Sequence, residues 1–129
     1  MTPSARTKKL LAEFGYTSDD AERRITRTIK KDLFGIIDIV AIRPGEIFGV
    51  QATSASNHSS HVKKALAEPR LLLWLLAGGR FEVWSWGKKG PRCKAKKWEV
   101  RRTAFTITGP GGATIEVSAL TDWAEPREK

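Results

Sequence analysis

The sequence has a single cysteine and no apolar run long enough to cross a membrane. Because Cys93 has no partner for an internal disulfide, we expect a reducing, cytoplasmic setting. The longest apolar run, Leu71–Ala77, is far shorter than the ~18 residues that a membrane helix needs. The first residues, MTPSARTKK, are polar and basic and lead into no apolar segment, so no signal peptide is expected.

Acidic residues are few beside basic ones. The 129 residues contain 14 Asp and Glu against 23 Lys and Arg, which gives a formal net charge of +9. A domain this basic is often a nucleic-acid binder. Lys and Arg side chains that neutralise phosphates release the bound counterions, and this release strengthens binding. The charge alone is also compatible with a basic protein that has no polyanionic partner.

The apolar pattern predicts one mixed α/β domain over residues 1–129. Helices are expected at Ser4–Gly15, capped by Ser4, and at Ser54–Pro69, ended by Pro69. Strands are expected at residues 34–42, 47–53, 71–77, 80–86, 98–108 and 113–120, with a hairpin turn at 78–79. Residues 21–32 are predicted as a strand or an extended arm, 87–97 as a flexible basic loop, and the chain from about 121 as a frayed tail.

The run GIIDIVAI places one acid, Asp38, among β-branched residues, and Gln51 follows 13 residues later across a short predicted hairpin. A carboxylate inside such a strand costs free energy unless it is paired or binds a metal. One interpretation is that Asp38 lies at a strand end and accepts hydrogen bonds from neighbouring amides. The alternative is a site for Mg²⁺, which prefers a few oxygen ligands together with water and substrate phosphates.

The segment FGIIDIVAIRPGEIFGVQATS, residues 34–54, resembles the core of the PD-(D/E)XK nuclease superfamily. In that pattern an Asp on one strand is followed, after a turn, by Glu or Gln, any residue, and Lys on the next strand. The segment is most similar to small archaeal-type Holliday-junction resolvases and to their phage-encoded relatives, and the neighbouring KKDLFG and TSASNHSSHVKKAL extend the likeness over residues 10–86. The resemblance implies a restriction-endonuclease-like domain, with a mixed central β-sheet flanked by helices, in a prokaryotic or phage-infected cell.

Under this resemblance, Asp38 and Gln51 are ligands of Mg²⁺ or Mn²⁺, and the backbone carbonyl of Ala52 joins them. Glu13 on the first helix is the expected further acid, and Glu22 is its rival.

Thr53 stands where the family usually has Lys, and it carries no charge to stabilise a transition state. Lys63 or Lys64 on the following helix is the expected substitute, with Lys30 and Lys31 as second choices.

Several other polar residues receive plainer interpretations. Asp32 is expected to form an ion pair with Arg27 or Lys31, and Glu46 is expected to be exposed in its turn. His58 and His61 lack the further ligands of a zinc site and are expected to be solvated or to contact phosphate. Three tryptophans, Trp74, Trp84 and Trp86, are expected to fill the core or a subunit interface.

Three functions follow from these observations. The first is a metal-dependent DNA endonuclease, selective for branched or duplex DNA and active as a homodimer, because a four-way junction has two scissile strands. The second is a DNA-binding module on the same fold that has lost catalysis, which the Thr53 departure suggests. The third, an RNA-binding protein, lacks the usual spacing of stacking aromatic residues. The expected DNA contacts are Arg27, Lys30, Lys31, Ser54, Asn57, Lys63, Lys64, Lys88, Lys89, Arg92, Lys94, Lys96 and Lys97.

Overall fold

A six-stranded mixed sheet organises the chain in a computed structural model, which describes residues 1–89, 97–112 and 114–120. The helices are α1 Pro3–Glu13, α2 His58–Leu66 and α3 Pro69–Leu76, with 3₁₀ turns at Ala55–Asn57 and Pro110–Gly112. The strands are β1 Thr17–Asp20, β2 Arg23–Arg24, β3 Lys30–Lys31, β4 Ile39–Arg43, β5 Glu46–Ser54, β6 Arg80–Lys89, β7 Lys97–Thr108 and β8 Thr114–Leu120. No helix in these ranges has the length and apolar character of a membrane span.

The strand order in the sheet is β1-β4-β5-β6-β7-β8. All neighbours are antiparallel except β5 and β6, which are parallel and are connected through α2 and α3. Parallel neighbours need such a crossover, whereas β4 and β5 are joined by a short turn at Gly45. The mixed α/β prediction, with helices flanking a central sheet, is confirmed.

Each face of the sheet has its own apolar core. On one face, Leu11 of α1 packs with Phe48, Val50 and Trp84. On the other face, residues of α2 and α3 pack with Val83 and the turn before β4. Side chains that alternate along β5 and β6 therefore point to opposite layers, which decides where each polar residue lies. Trp84 and Trp86 are buried, as expected for core residues.

The first helix forms as the sequence predicts, with a different cap. Leu11 is buried, and Leu10 and Phe14 pack beside it, which confirms the predicted apolar stripe. The Thr2 hydroxyl accepts from the Ala5 amide at 3.1 Å, so the helix begins one residue before the expected cap. Pro3 explains this, because proline favours the first helical position and its missing N–H is not needed there.

The run Leu71–Ala77 is helix α3, so the prediction of a strand there was wrong. Glu68 caps the helix by accepting from the Arg70 amide, and Pro69 begins this helix. Leu71 and Leu75 are buried while Leu73 is 65% exposed, which is helical spacing. The Gly78-Gly79 pair consequently joins a helix to β6 and is no hairpin.

The strand before the hairpin is shorter than expected and begins after Asp38. Residues 33–37 form a turn in which Leu33 pairs with Ile37, and Phe34 and Gly35 adopt positive φ values of 55° and 75°. Glycine tolerates this conformation readily, and the Phe34-Gly35 pair therefore marks a turn where strand was predicted. This turn folds the chain back so that residues on either side of it, Asp32 and Asp38, lie near each other.

Residues 21–32, predicted as either a strand or an extended arm, have features of both. Arg23 and Arg24 pair antiparallel with Lys31 and Lys30 in a two-stranded sheet of their own. Residues 24–31 are all exposed, so the pair of strands forms an arm outside the main sheet. We call residues 23–31 the basic arm.

Candidate functional site

Asp38 and Gln51 converge at the end of the β4–β5 hairpin. The register that pairs Ile39 with Val50 places the two residues opposite each other. The Gln51 amide Nε2 lies 3.3 Å from Asp38 Oδ2, and the backbone amide of Ala52 donates to Asp38 Oδ1 at 3.1 Å. The hydrogen bonds therefore confirm the first interpretation of Asp38, a strand-end acid that accepts from neighbouring amides. The resemblance implied a role for the Ala52 carbonyl as a metal ligand. The Ala52 group that the structure shows in contact with Asp38 is the amide N–H.

Asp32 completes the cluster. The same Gln51 Nε2 lies 3.3 Å from Asp32 Oδ2, so one amide group bridges two carboxylates. The ion pair expected between Asp32 and Arg27 or Lys31 is not among the ion pairs of the described residues. Sequence reasoning assigned Asp32 a surface role, because only the turn at 33–37 brings it back to Asp38. We call Asp32, Asp38 and Gln51 the acidic cluster.

Asp38 is the residue of the acidic cluster that is costly to ionise. Burial, together with the nearby carboxylates of Asp32 and Glu22, raises the pKa of Asp38 to about 7 against the opposing Ala52 hydrogen bond. Gln51 itself is only 4% exposed. No Lys or Arg of the described ranges forms an ion pair with Asp32 or Asp38. Within the part of the chain that the structure describes, these carboxylates are therefore not neutralised by direct ion pairing.

The two rival acids lie in different places. Glu22 is close enough to influence Asp38 electrostatically, so it is near the acidic cluster. Glu13 is exposed on α1 and lines a cleft with Trp86 and Trp98, on the face of the sheet opposite Gln51. The structure therefore brings Glu22, and not Glu13, toward Asp38 and Gln51.

Thr53 lies two residues beyond Gln51 on the same face of β5, and it is buried. Its register neighbour is Ser85, which belongs to a buried polar layer with His58 and Thr103. His58 Nδ1 lies 2.7 Å from Ser85 Oγ, and Nε2 lies 2.7 Å from Thr103 Oγ1. The expectation that His58 is solvated was wrong, because this layer satisfies both of its ring nitrogens in the interior.

His61 lies on α2, three residues after His58. Its Nδ1 is buried and has no hydrogen-bond partner among the described residues. Burial and Lys64 lower the pKa of His61, whereas the Asp32 carboxylate acts in the opposite direction. His61, Lys64 and Asp32 are therefore neighbours. The sequence offered only the i, i+3 histidine spacing as a signal for this.

The two candidate lysines of α2 point in different directions. Lys63 lines a shallow pocket with Arg101, Thr103 and Val117, toward β7 and β8. Lys64 acts electrostatically on His61, as Asp32 does. Both lysines are exposed. His61 thus links Lys64, but not Lys63, to the surroundings of Asp32.

The expected DNA contacts fall into groups. Arg27, Lys30 and Lys31 are exposed on the basic arm, which runs directly into Asp32. Ser54 and Asn57 form an exposed hydrogen-bonded pair at 3.1 Å before α2. Lys88 is exposed near the end of β6. The side chains of Lys89 and Lys97, and all of Arg92, Cys93, Lys94, Lys96 and the tail from 121, lie outside what the structure describes.

Glu46 is not exposed as predicted. Its side chain is 13% exposed and lies 3.4 Å from Arg43 Nε and 3.5 Å from Arg80 Nη1, and it accepts from the Tyr16 hydroxyl at 2.5 Å. Burial and the Glu46 hydrogen bond raise the pKa of Tyr16 to about 12. Nearby, buried Glu82 pairs with buried Arg102 at 3.0 Å. This network lies on the α1 face of the sheet, opposite the face of Gln51, and explains five charges as structural.

The donor set suits a hard cation with few protein ligands. Within the described ranges, no three His, Cys, Asp or Glu side chains are grouped to hold a metal ion. The two carboxylates, with the Gln51 amide turned so that its oxygen replaces the Nε2 now between them, would match what Mg²⁺ commonly uses, since it keeps several waters and binds substrate phosphates. The lack of an ion pair to Asp32 or Asp38 among the described side chains fits the same ligand.

No family model, curated protein or solved structure matches this chain.

Proposed function

We propose that the protein is a metal-dependent DNA endonuclease of the PD-(D/E)XK type that acts on branched or duplex DNA. The observation that carries the proposal is the pair of 3.3 Å contacts from Gln51 Nε2 to Asp32 and Asp38. Two partly buried carboxylates that have no ion pair among the described side chains are expensive to maintain, and a bound cation would offset that cost. The basic arm and the exposed lysines of α2 supply cations for DNA on both sides of the acidic cluster.

Asp32, Asp38 and the Gln51 side-chain oxygen would hold Mg²⁺ or Mn²⁺, with Glu22 nearby. When bound, such an ion polarises a phosphate and lowers the pKa of water, which is the chemistry that phosphodiester hydrolysis needs. The backbone amide of Ala52 fixes the orientation of the Asp38 carboxylate. Thr53 contributes at most an uncharged hydroxyl, so stabilisation of negative charge would fall to Lys64 or Lys63 of α2.

Cleavage of a labelled four-way junction and of its linear arms, in Mg²⁺ or Mn²⁺, tests the proposal. The variants Asp38→Asn and Asp32→Asn should lose cleavage by at least about a hundredfold, because each removes a metal-binding charge. Asp19→Asn is the matched control, since Asp19 is an exposed acid on β1 outside the acidic cluster. If wild type cuts and Asp32→Asn cuts equally well, the assignment of the site is wrong.

The Thr53 substitution favours a second candidate, a DNA-binding module without catalysis. In that case wild type binds junction DNA but leaves it intact in both metals. Competition between junction, linear duplex and RNA at fixed salt distinguishes this module from an RNA-binding protein. We further propose a symmetric dimer for the nuclease, because a four-way junction has two scissile strands, and sedimentation with and without DNA measures it.

A further inference from the structure

A second cluster of cations lies on the opposite face of the sheet from the acidic cluster. It borders a cleft between α1 and the strands, at the end of β6 and the start of β7. The cleft is lined by Arg6, Lys9, Leu10, Glu13, Trp86 and Trp98. Its charged side chains are two cations and one acid, and Lys88 adds a third cation beside Trp98. An anion is therefore the ligand that fits this charge balance.

The tryptophan ring holds Arg6 in one orientation. The Arg6 guanidinium carbon lies 3.8 Å from the centroid of the Trp98 ring, and Lys88 Nζ lies 5.5 Å from the same centroid. Stacking on an aromatic face fixes the plane of a guanidinium and leaves its in-plane N–H groups directed outward. Trp98 is 42% exposed, so this pair lies at the protein surface.

Arg6 also carries a donor without an acceptor. Its Nε is buried and has no hydrogen-bond partner among the residues that the structure describes. A buried N–H left unsatisfied costs free energy, so an acceptor toward which the Arg6 side chain can turn would be favourable. Lys8, two residues farther along the same helix, is by contrast already paired with Asp20 at 3.1 Å. Arg6 and Lys8 thus differ in whether a carboxylate among the described residues pairs with them.

The cleft and the acidic cluster lie at the same end of the sheet. Trp86 is the register partner of Ser54, and Gln51 lies three residues before Ser54 on β5. Trp86 belongs to the α1 face, whereas Gln51 is opposite Val83, which packs on the face of α2 and α3. The two sites are therefore close along the strands but on opposite faces of the sheet.

We propose that Arg6, assisted by Lys9 and Lys88, binds a backbone phosphate of nucleic acid, and that Trp98 positions the Arg6 guanidinium. Arginine presents a planar fork that matches phosphate oxygens in two parallel hydrogen bonds. This site gives affinity and orientation without base recognition. The proposal takes DNA as the ligand from the proposed function, but it does not depend on cleavage.

The test compares Arg6→Gln with Lys8→Gln. Both remove one positive charge from α1, but only Arg6 borders the cleft. Binding of a fluorescein-labelled duplex is measured by anisotropy in EDTA at several salt concentrations. We expect Arg6→Gln to raise Kd about tenfold and to reduce the salt slope by about one, while Lys8→Gln changes Kd less than about twofold. Equal losses in the two variants would overturn the proposal.

Trp98 provides an uncharged second test. Trp98→Ala should raise Kd about threefold to fivefold, since Arg6 loses its orientation, and Trp98→Phe should stay near wild type because a ring is retained. The melting temperature of each variant is measured to show that it is folded. Wild-type binding by Trp98→Ala would refute the positioning role.

Inorganic phosphate separates a backbone site from a site for a small anion. If phosphate at low millimolar concentration binds in an Arg6-dependent manner and duplex DNA does not, the nucleic-acid assignment is wrong. Because all binding is measured in EDTA, a failure to cleave DNA leaves this result unaffected. Conversely, wild-type cleavage together with equal binding by Arg6→Gln and Lys8→Gln refutes only the phosphate site.

Discussion

The replacement Asp38→Asn should make the metal-free protein more stable, and increasingly so as the pH rises. Burial and the neighbouring acids raise the pKa of Asp38 from 3.8 to about 7. A carboxyl whose pKa is higher in the folded state contributes stability that is complete below its unfolded pKa. That stability is lost as the pH rises through the folded value. At neutral pH and above, ionised Asp38 therefore opposes folding.

The size of the effect follows from the two pKa values. A difference of about three units corresponds to about 4 kcal/mol as an upper limit at alkaline pH. Between about pH 5 and about pH 8, the penalty in wild type should grow by about 2.5 kcal/mol. Asparagine keeps an oxygen for the Ala52 amide and can pair with a rotated Gln51 amide, so the substitution preserves the local hydrogen bonds.

Urea unfolding in EDTA measures this prediction. The free energy of unfolding is determined for wild type and Asp38→Asn at several pH values, with Asp19→Asn as the control for an exposed acid. We expect the difference between Asp38→Asn and wild type to widen with pH, while Asp19→Asn follows wild type. A difference that is constant or shrinks with pH means that Asp38 is not a destabilised carboxylate.

Three further predictions concern other parts of the fold. His58 has its pKa lowered to about 4 by burial, by Arg101 and by His61, so the stability it gives is complete above about pH 6.5 and lost as the pH falls toward 4. Acid unfolding of His58→Asn should lack this loss of up to about 3 kcal/mol. Glu82→Gln should lower the free energy of unfolding in urea by about 3–5 kcal/mol, because buried Arg102 loses its ion pair. Replacing both Glu82 and Arg102 by Met should lower it by less. Leu71→Ala should cost about 2–5 kcal/mol and Leu73→Ala less than about 1 kcal/mol, whereas a strand with both residues on one face would give similar costs.

The hairpin and its two polar residues could be predicted because the signals are local. Turn residues between two β-branched runs fix the register, and the register alone sets Asp38 opposite Gln51. The apolar stripe of α1 was predictable for the same reason, since its spacing lies within one element. In each case the residues that interact are connected by a short, regular piece of chain.

The remainder of the site depends on tertiary structure that no local pattern contains. Asp32 reaches the cluster through an irregular turn with Phe34 at positive φ, a conformation that few side chains adopt. The uninterrupted apolar run of α3 has no periodicity, so the local signs of helix were confined to its start, at Glu68 and Pro69. The positions of His61 and Lys64 depend on how α2 and α3 pack on the sheet, and this packing could not be derived from the sequence pattern.

The charges of this domain divide according to whether they have partners within the protein. On the α1 face of the sheet, Glu46, Glu82 and their arginines form ion pairs that join neighbouring strands. On the opposite face, Asp38 is partly buried beside Asp32, with an amide as their shared neighbour. An acid pair that only held the fold together would do so better with a lysine or with apolar side chains, because ionised Asp38 destabilises the folded state at neutral pH. The cost is understandable if the missing positive charge comes from outside the chain, and a divalent cation supplies it in the smallest space.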